Sequence, residues 1–104
     1  MTVVEIFYFE GCPGHAAAAE LVARVVRDAA LNVEVRQVEV ANSVAAEQLR
    51  FLGSPTVGVD GIDVDPEADQ RHDFAMQCRV YAVNGRLQNT PSREWIERAL
   101  GVAR

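Results

Sequence analysis

The first forty residues change from a nearly continuous apolar run to an amphipathic one and back. Thr2 to Phe9 is rich in β-branched and aromatic residues, as in a central strand covered on both faces. From Pro13 to about Ala30, apolar residues recur every three or four positions, which predicts a one-sided helix. Val33 to Val40 returns to strand character, and the change of phase between Val35 and Val38 indicates a bulge or a change of register.

The second half of the chain predicts shorter elements. They are a helix from Ser43 to Phe51, two strands within Thr56–Val64, a polar loop over Asp65–Phe74, a strand over Cys78–Val83, a turn at Asn84-Gly85 and a last helix opening at Thr90-Pro91. The two strands flank Asp60-Gly61, a dipeptide typical of a hairpin turn. The order β-α-β-α-β-β, an inserted loop and strand, then α, predicts an α/β fold. Its central mixed sheet carries helices on both faces and an antiparallel edge.

Composition narrows the class of protein. At 104 residues the chain predicts a single domain over 1–104, and no apolar run approaches the roughly 20 residues that span a bilayer. A net charge of -5 without a basic stripe argues against a nucleic-acid partner, and nothing predicts a membrane partner. The first apolar stretch has no basic leader and ends at Glu10, unlike a secretory signal. With only two cysteines, we predict a cytoplasmic protein.

Cys12 is the residue with the clearest chemistry. It follows the first apolar run and precedes Pro13, which suits the first turn of a helix. The amide groups that open a helix lack intrahelical partners and carry a partial positive charge, so they favour the thiolate, the nucleophilic form of cysteine. His15, one helical turn along, could stabilise that thiolate when protonated or carry a proton. The alternative for His15 is an ordinary solvated side chain.

Cys12-Pro13-Gly14-His15 between a strand and a helix, followed by Ser54-Pro55-Thr56 and a hairpin, resembles the thioredoxin/glutaredoxin superfamily. The resemblance covers residues 2 to about 64 well and the last helix loosely. It implies a thioredoxin-like fold, with Cys12 as the attacking thiol and Pro55 in the cis form facing it. Candidate substrate-binding residues are Pro13, Ser54, Pro55, Thr56 and Tyr8, and a cis backbone at Pro55 would leave neighbouring amide and carbonyl groups to pair with substrate.

The chain departs from the dithiol members of that family at His15, where they have a second cysteine. The resemblance therefore implies a one-thiol oxidoreductase or thiol-transfer protein in which Cys12 forms a mixed disulfide. Either Cys78 or a low-molecular-weight thiol such as glutathione, acting as co-substrate, would release it. The expected partner is a disulfide- or thiol-containing protein or small molecule, with no bound cofactor.

Other interpretations of these residues stay open. Cys78 begins an apolar-alternating run and could be a buried filler rather than a catalytic thiol. Cys12, His15, His72 and Cys78 could in principle bind a metal, but only the first pair has ligand spacing, so we predict no metal site. The acidic residues between Asp60 and Asp69 predict a solvated rim. Among the aromatic residues, Phe9 and Trp95 are expected in the core, and Tyr8 and Tyr81 at the edges of a substrate site.

Two further functions compete with the redox one. A thioredoxin-like domain can lose catalysis and serve as a binding module for a peptide, a small thiol or a protein. The Gly-Cys-Pro start, the Ser-Pro-Thr-Val segment and the later cysteine are also similar to sequences grouped loosely with alkylmercury lyases. That third function, handling of a soft metal or an organomercurial, requires Cys12 and Cys78 to lie within a few ångströms of each other.

Overall fold

A computed structural model describes residues 1–102. Its strands are β1 (Val3–Tyr8), β2 (Glu34–Glu39), β3 (Thr56–Val59), β4 (Ile62–Asp63), β5 (Tyr81–Val83) and β6 (Arg86–Gln88). Its α-helices are α1 (His15–Asp28), α2 (Ser43–Gln48) and α3 (Arg93–Ala99), and a 3-10 turn spans Ala68–Gln70. No helix within residues 1–102 is both long enough and apolar enough to cross a membrane.

A four-stranded mixed sheet has the order β2-β1-β3-β4, with β5 and β6 forming a separate hairpin. β1 runs parallel to β2 and antiparallel to β3, and β4 closes the antiparallel edge. The predicted mixed α/β architecture and its antiparallel edge are therefore confirmed. The register of β1 with β2 continues unbroken from Val3 opposite Glu34 to Tyr8 opposite Glu39, so the predicted bulge in β2 is wrong. β2 is an edge strand, and the side chain of Val35 is exposed there. The register therefore does not have to change to bring Val35 into the core.

The two faces of the sheet are covered by different helices because the side chains of β1 alternate. Val4 and Ile6 pack with Val22 and Val25 of α1 and Ile96 of α3. On the opposite face, a smaller cluster beside α2 contains Val40, Ala46 and Phe51, with Phe7 and Phe9 packed against it. β1 is thus the central strand predicted from its nearly continuous apolar run.

Several boundaries differ from the sequence prediction for local reasons. α2 is capped by Asn42, whose side chain accepts a hydrogen bond from the amide of Ala45 at 2.9 Å, rather than by Ser43. α3 is capped by Ser92, one residue beyond the predicted Thr90-Pro91 opening. The strand predicted from Cys78 is regular only over Tyr81–Val83, and the β6 that completes its hairpin was missed.

Tyr81 lies inside the protein, so the prediction that it edges a substrate site is wrong. Its side chain is buried, its ring lies 6.1 Å from that of Trp95, and its hydroxyl donates a hydrogen bond to the carbonyl of Pro55 at 2.6 Å. Burial raises the pKa of the Tyr81 hydroxyl above its ordinary value, so the phenol stays protonated and remains a donor. Phe9 and Trp95 are partly buried against the two apolar clusters, as predicted.

Replacing Tyr81 with phenylalanine tests the hydrogen bond to Pro55. We expect Tyr81→Phe to lower the free energy of unfolding by about 1–3 kcal/mol, because the buried Pro55 carbonyl loses its donor. Urea unfolding followed by circular dichroism measures the change. The matched control is Tyr8→Phe, which keeps the ring of a partly exposed tyrosine and should change stability by less than about 0.5 kcal/mol. Equal stability of Tyr81→Phe and wild type would contradict the assigned role.

Candidate functional site

Two consecutive turns hold Cys12 at the end of β1. The Cys12 amide donates to the carbonyl of Phe9 at 3.3 Å, and the turn between them has Gly11 at a φ of +87°, a conformation that glycine adopts without strain. The Cys12 carbonyl then accepts from the amide of His15, also at 3.3 Å. Cys12 forms no disulfide, and the residue is partly exposed.

α1 begins later than predicted. Gly14 is its N-cap and His15 its first helical residue, so Cys12 lies in the turn that leads into the helix, and Pro13 is exposed in the same turn. The Cys12 carbonyl is bound by the His15 amide across three residues, which closes a separate turn before the helix starts. The site still combines the end of a strand with the start of a helix, but its thiol precedes the helix proper.

Gly14 brings the Cys12 turn into close contact with two other parts of the chain. A Cβ atom at this position would lie 2.8 Å from the backbone oxygen of Asn89 and 3.0 Å from Cδ of Pro55. Because real Cβ atoms do not approach a carbonyl oxygen so closely, only glycine fits. The Cys12 turn thus packs against the ring of Pro55 on one side and the segment before α3 on the other.

The Ser54-Pro55-Thr56 segment is buried. The Ser54-Pro55 peptide bond is cis, as the sequence resemblance implies. The Ser54 hydroxyl oxygen accepts from the amide of Phe9 at 3.3 Å, which ties this segment to the end of β1. The Thr56 hydroxyl donates to the carbonyl of Gly53 at 2.6 Å. The side chains of Ser54 and Thr56, expected to meet a substrate, are therefore used inside the protein.

The main chain of Ser54 is also paired within the protein. Its amide donates to the carbonyl of Gln77 at 2.8 Å, and its carbonyl accepts from the amide of Arg79 at 3.0 Å. These two bonds form a parallel bridge in which Cys78 lies directly opposite Ser54. A third bond, from the amide of Ala75 to the carbonyl of Phe51 at 3.0 Å, extends the pairing. Residues 75–79, called the inner segment below, thus run alongside residues 51–54.

Cys78 is exposed and unbonded to another sulfur, so the interpretation of Cys78 as a buried filler is wrong. The inner segment fits closely because Gly53 has no side chain. A Cβ at Gly53 would lie 2.9 Å from both Cβ of Arg79 and the carbonyl oxygen of Gln77, and its φ of +129° favours glycine. The Gln77 side chain adds bonds to the carbonyls of Leu52 and Asp73, at 3.0 and 2.9 Å. Cys78 is therefore held in place by its two neighbours, Gln77 and Arg79, while the residue itself is exposed.

Arg79 anchors the inner segment and was missed by the sequence reasoning. Its guanidinium is buried and lies 2.7 Å from a carboxylate oxygen of Asp63, 3.3 Å from one of Asp65 and 2.9 Å from the hydroxyl of Thr56. It also lies over the ring of Tyr81, 4.5 Å from its centre. Asp63 and Asp65 are thus ion-pair partners rather than members of the solvated rim. The available signal was an arginine within an apolar-alternating strand, which demands a buried acidic partner.

The imidazole of His15 contacts Tyr8 and Gln37 on the α1 face of the sheet. It stacks on the ring of Tyr8, with ring centres 3.7 Å apart and planes 7° from parallel. Its Nε2 lies 2.5 Å from the side-chain oxygen of Gln37 in β2. Tyr8 thus supports His15, and its contact with a substrate stays a prediction. His15 itself is fixed against β1 and β2, where it can steady the start of α1.

His72 lies apart from this arrangement. It is exposed in the loop after the 3-10 turn, and its ring meets the edge of Phe74 at 6.2 Å. Over the residues that the structure describes, no three histidine, cysteine or acidic side chains come together as metal ligands.

A cleft of about 420 Å³ lies on the α2 side of the molecule, away from both cysteines. Its walls include Phe7, Phe51 and Phe74, with Asp63 and Asp65 at one margin. The thiols of Cys12 and Cys78 do not line it.

Comparison with protein-family models, with curated proteins and with solved structures yields no match to this chain.

Arg79 can be tested by removing its charge. We expect Arg79→Met to lower the free energy of unfolding by about 3 kcal/mol, because Asp63 and Asp65 lose their buried counter-ion. Arg79→Lys should recover only part of this loss, since one ammonium group cannot reproduce the forked contacts. The exposed Arg86→Met is the matched control and should change stability by less than about 0.5 kcal/mol. Chemical unfolding measures the change in stability. An unfolding midpoint of Arg79→Met equal to that of wild type would contradict the role of Arg79 as an anchor of the inner segment.

Gly14 can be tested by adding one methyl group. We expect Gly14→Ala to destabilise the protein by about 1–3 kcal/mol, because the new Cβ clashes with the backbone of Asn89 and the ring of Pro55. Gly58→Ala is the control, since a Cβ there meets its nearest atom at an ordinary 3.5 Å. Thermal unfolding of the two variants gives the comparison. Similar losses for both would show that the packing of Gly14 is not special.

Proposed function

We propose that this chain is a thioredoxin-like thiol-disulfide oxidoreductase that acts through Cys12. The observation that carries the proposal is the position of a partly exposed cysteine at the junction of β1 and α1, in a turn packed against Pro55. The strand order β2-β1-β3-β4, with α1 and α3 on one face and α2 on the other, supports the thioredoxin-like assignment.

The proposed reaction begins with attack of the Cys12 thiolate on one sulfur of a disulfide. A bond forms between Cys12 and that sulfur, the disulfide bond breaks, and the other sulfur leaves as a thiolate that takes up a proton. A second thiol then attacks the mixed disulfide and restores Cys12. The candidates for the second thiol are Cys78 and a low-molecular-weight thiol such as glutathione, and neither requires a bound cofactor.

His15 contributes as a positioning residue in this proposal. Stacking on Tyr8 and the bond from Nε2 to Gln37 hold the first residue of α1 against the sheet. The His15 amide in turn binds the Cys12 carbonyl. The imidazole therefore acts on the thiol through the backbone of the Cys12 turn, and its replacement by phenylalanine, which can also stack, should retain most of the activity.

Of the two alternative functions, the handling of a soft metal is favoured over a peptide-binding module by one observation. Cys78 and the Cys12 turn both adjoin Ser54-Pro55, at the same end of the sheet, which supports joint binding of a soft metal ion or an organomercurial by two thiolates. The internal pairing of the Ser54 amide and carbonyl argues against a module that binds peptides there. Soft-metal handling is therefore our second candidate.

Reduction of bis(2-hydroxyethyl) disulfide by glutathione tests the leading proposal. We expect wild type to accelerate the reaction and Cys12→Ser to leave only the uncatalysed rate, because serine oxygen cannot form the mixed disulfide. Identical circular dichroism spectra would show that the substitution leaves the fold intact. Ala16→Ser, at an exposed position in the first turn of α1, is the neighbouring control and should keep wild-type activity. Wild-type activity in Cys12→Ser would exclude Cys12 as the nucleophile.

A further inference from the structure

We propose that the inner segment, residues 75–79, is a built-in occupant of the substrate groove. In this arrangement Cys78 is the thiol that resolves the mixed disulfide on Cys12, and the substrates are small-molecule disulfides rather than extended polypeptides. This inference rests on the proposed function and assigns its second thiol and its substrate class.

The first support is the hydrogen bonding of Ser54. An extended polypeptide that added itself beside Ser54-Pro55 would need the amide and carbonyl of Ser54 for main-chain pairing. Both groups are bound by the inner segment, the amide to Gln77 and the carbonyl to Arg79, and Ser54 is only 1% exposed. Since an amide has one hydrogen to donate, an incoming chain can pair there only by displacing the inner segment.

The second support is that the inner segment is firmly held. Displacing it would remove the Arg79 guanidinium from Asp63, Asp65 and Thr56, leaving those polar groups without their main partner. Its fit also depends on Gly53, whose missing side chain leaves space for Arg79 and Gln77. The inner segment is therefore a fixed part of the fold, and Cys78 is presented at a constant place.

The third support is where Cys78 is presented. Residues directly opposite each other in a ladder carry their side chains on the same face, so the side chain of Cys78 lies on the same face as that of Ser54. The Ser54 hydroxyl is bonded to the amide of Phe9, and the carbonyl of Phe9 is bonded to the amide of Cys12. Hydrogen bonds thus place Cys12 and the two neighbours of Cys78 around Ser54, and Cys12 is partly exposed while Cys78 is exposed.

The balanced sequence has two exchanges. Cys12 thiolate attacks a small disulfide R–S–S–R, forming Cys12–S–S–R and releasing one R–S⁻, which is protonated. Cys78 thiolate then attacks the sulfur of Cys12, forming a Cys12–Cys78 disulfide and releasing the second R–S⁻. The substrate gains two electrons and the cysteine pair loses two. Two molecules of a low-molecular-weight thiol such as glutathione reduce the pair and leave as a disulfide.

The decisive experiment treats fully reduced protein with glutathione disulfide, stops the exchange with acid and measures intact masses. We expect Cys78→Ser to retain one glutathionyl group on Cys12. Wild type should carry none and should have lost two hydrogens instead. Because the bonds to Ser54 are made by the backbone of Gln77 and Arg79, Cys78→Ser should fold normally, which circular dichroism verifies.

The possible failures separate the two proposals. A wild-type protein that keeps its glutathionyl group as long as Cys78→Ser does would overturn the role of Cys78 while supporting attack by Cys12. A Cys78→Ser protein that gains no glutathionyl group would instead overturn the proposed function. Cys78→Ser combined with Val80→Cys moves the thiol two residues along an exposed part of the chain and should keep the glutathionyl group. Efficient resolution by the moved thiol would contradict the importance of the position opposite Ser54.

Substrate class is tested by comparing two disulfides under the same reducing conditions. We expect wild type to reduce bis(2-hydroxyethyl) disulfide and to leave the interchain disulfides of insulin at the uncatalysed rate. Insulin is the polypeptide probe because its reduction can be followed by turbidity. Reduction of insulin at a catalysed rate comparable to that of the small disulfide would overturn the proposed restriction.

Discussion

The arrangement of this protein depends on pairing the buried backbone of Ser54-Pro55. Buried amide and carbonyl groups must find partners, because leaving one unpaired costs as much as a lost hydrogen bond. Here the partners come from three distant parts of the chain. Phe9 at the end of β1 binds the Ser54 side chain, the inner segment binds its backbone, and Tyr81 binds the carbonyl of Pro55. One dipeptide thus joins the central strand to the second half of the molecule.

The ion pairs of Arg79 make this pairing durable. A buried guanidinium is costly unless its charge is matched, and Asp63, Asp65 and Thr56 accept from its two terminal nitrogens, while Nε has no hydrogen-bond partner among the described residues. The carboxylates come from the end of the β3–β4 hairpin, so the inner segment is tied to the edge of the main sheet as well as to Ser54. Tyr81 packs beneath the guanidinium and extends the same connection to the β5–β6 hairpin.

These connections place a second cysteine, Cys78, opposite Ser54. His15 lies three residues after Cys12, and its ring contacts Tyr8 and Gln37. The insertion after β4 instead returns the chain to Ser54 and brings Cys78 there. In the proposed function, the same segment that supplies a thiol also uses the backbone groups that an extended substrate would need.

Most of the local elements could be predicted from the sequence, because each depends on residues that are neighbours in the chain. The apolar run of β1, the helical spacing of α1 and the Asp60-Gly61 turn follow from residue type and period, and they place Cys12 at a strand end. Tertiary structure decided the rest: the burial of Tyr81, the pairing of Arg79 with Asp63 and Asp65, and the position of Cys78 opposite Ser54. Those features join residues far apart in the chain, and no periodicity records which backbone group or counter-ion a distant residue will meet. The position of Cys12 at the end of a strand was therefore readable from its neighbours, whereas the position of Cys78 opposite Ser54 depends on long-range pairing.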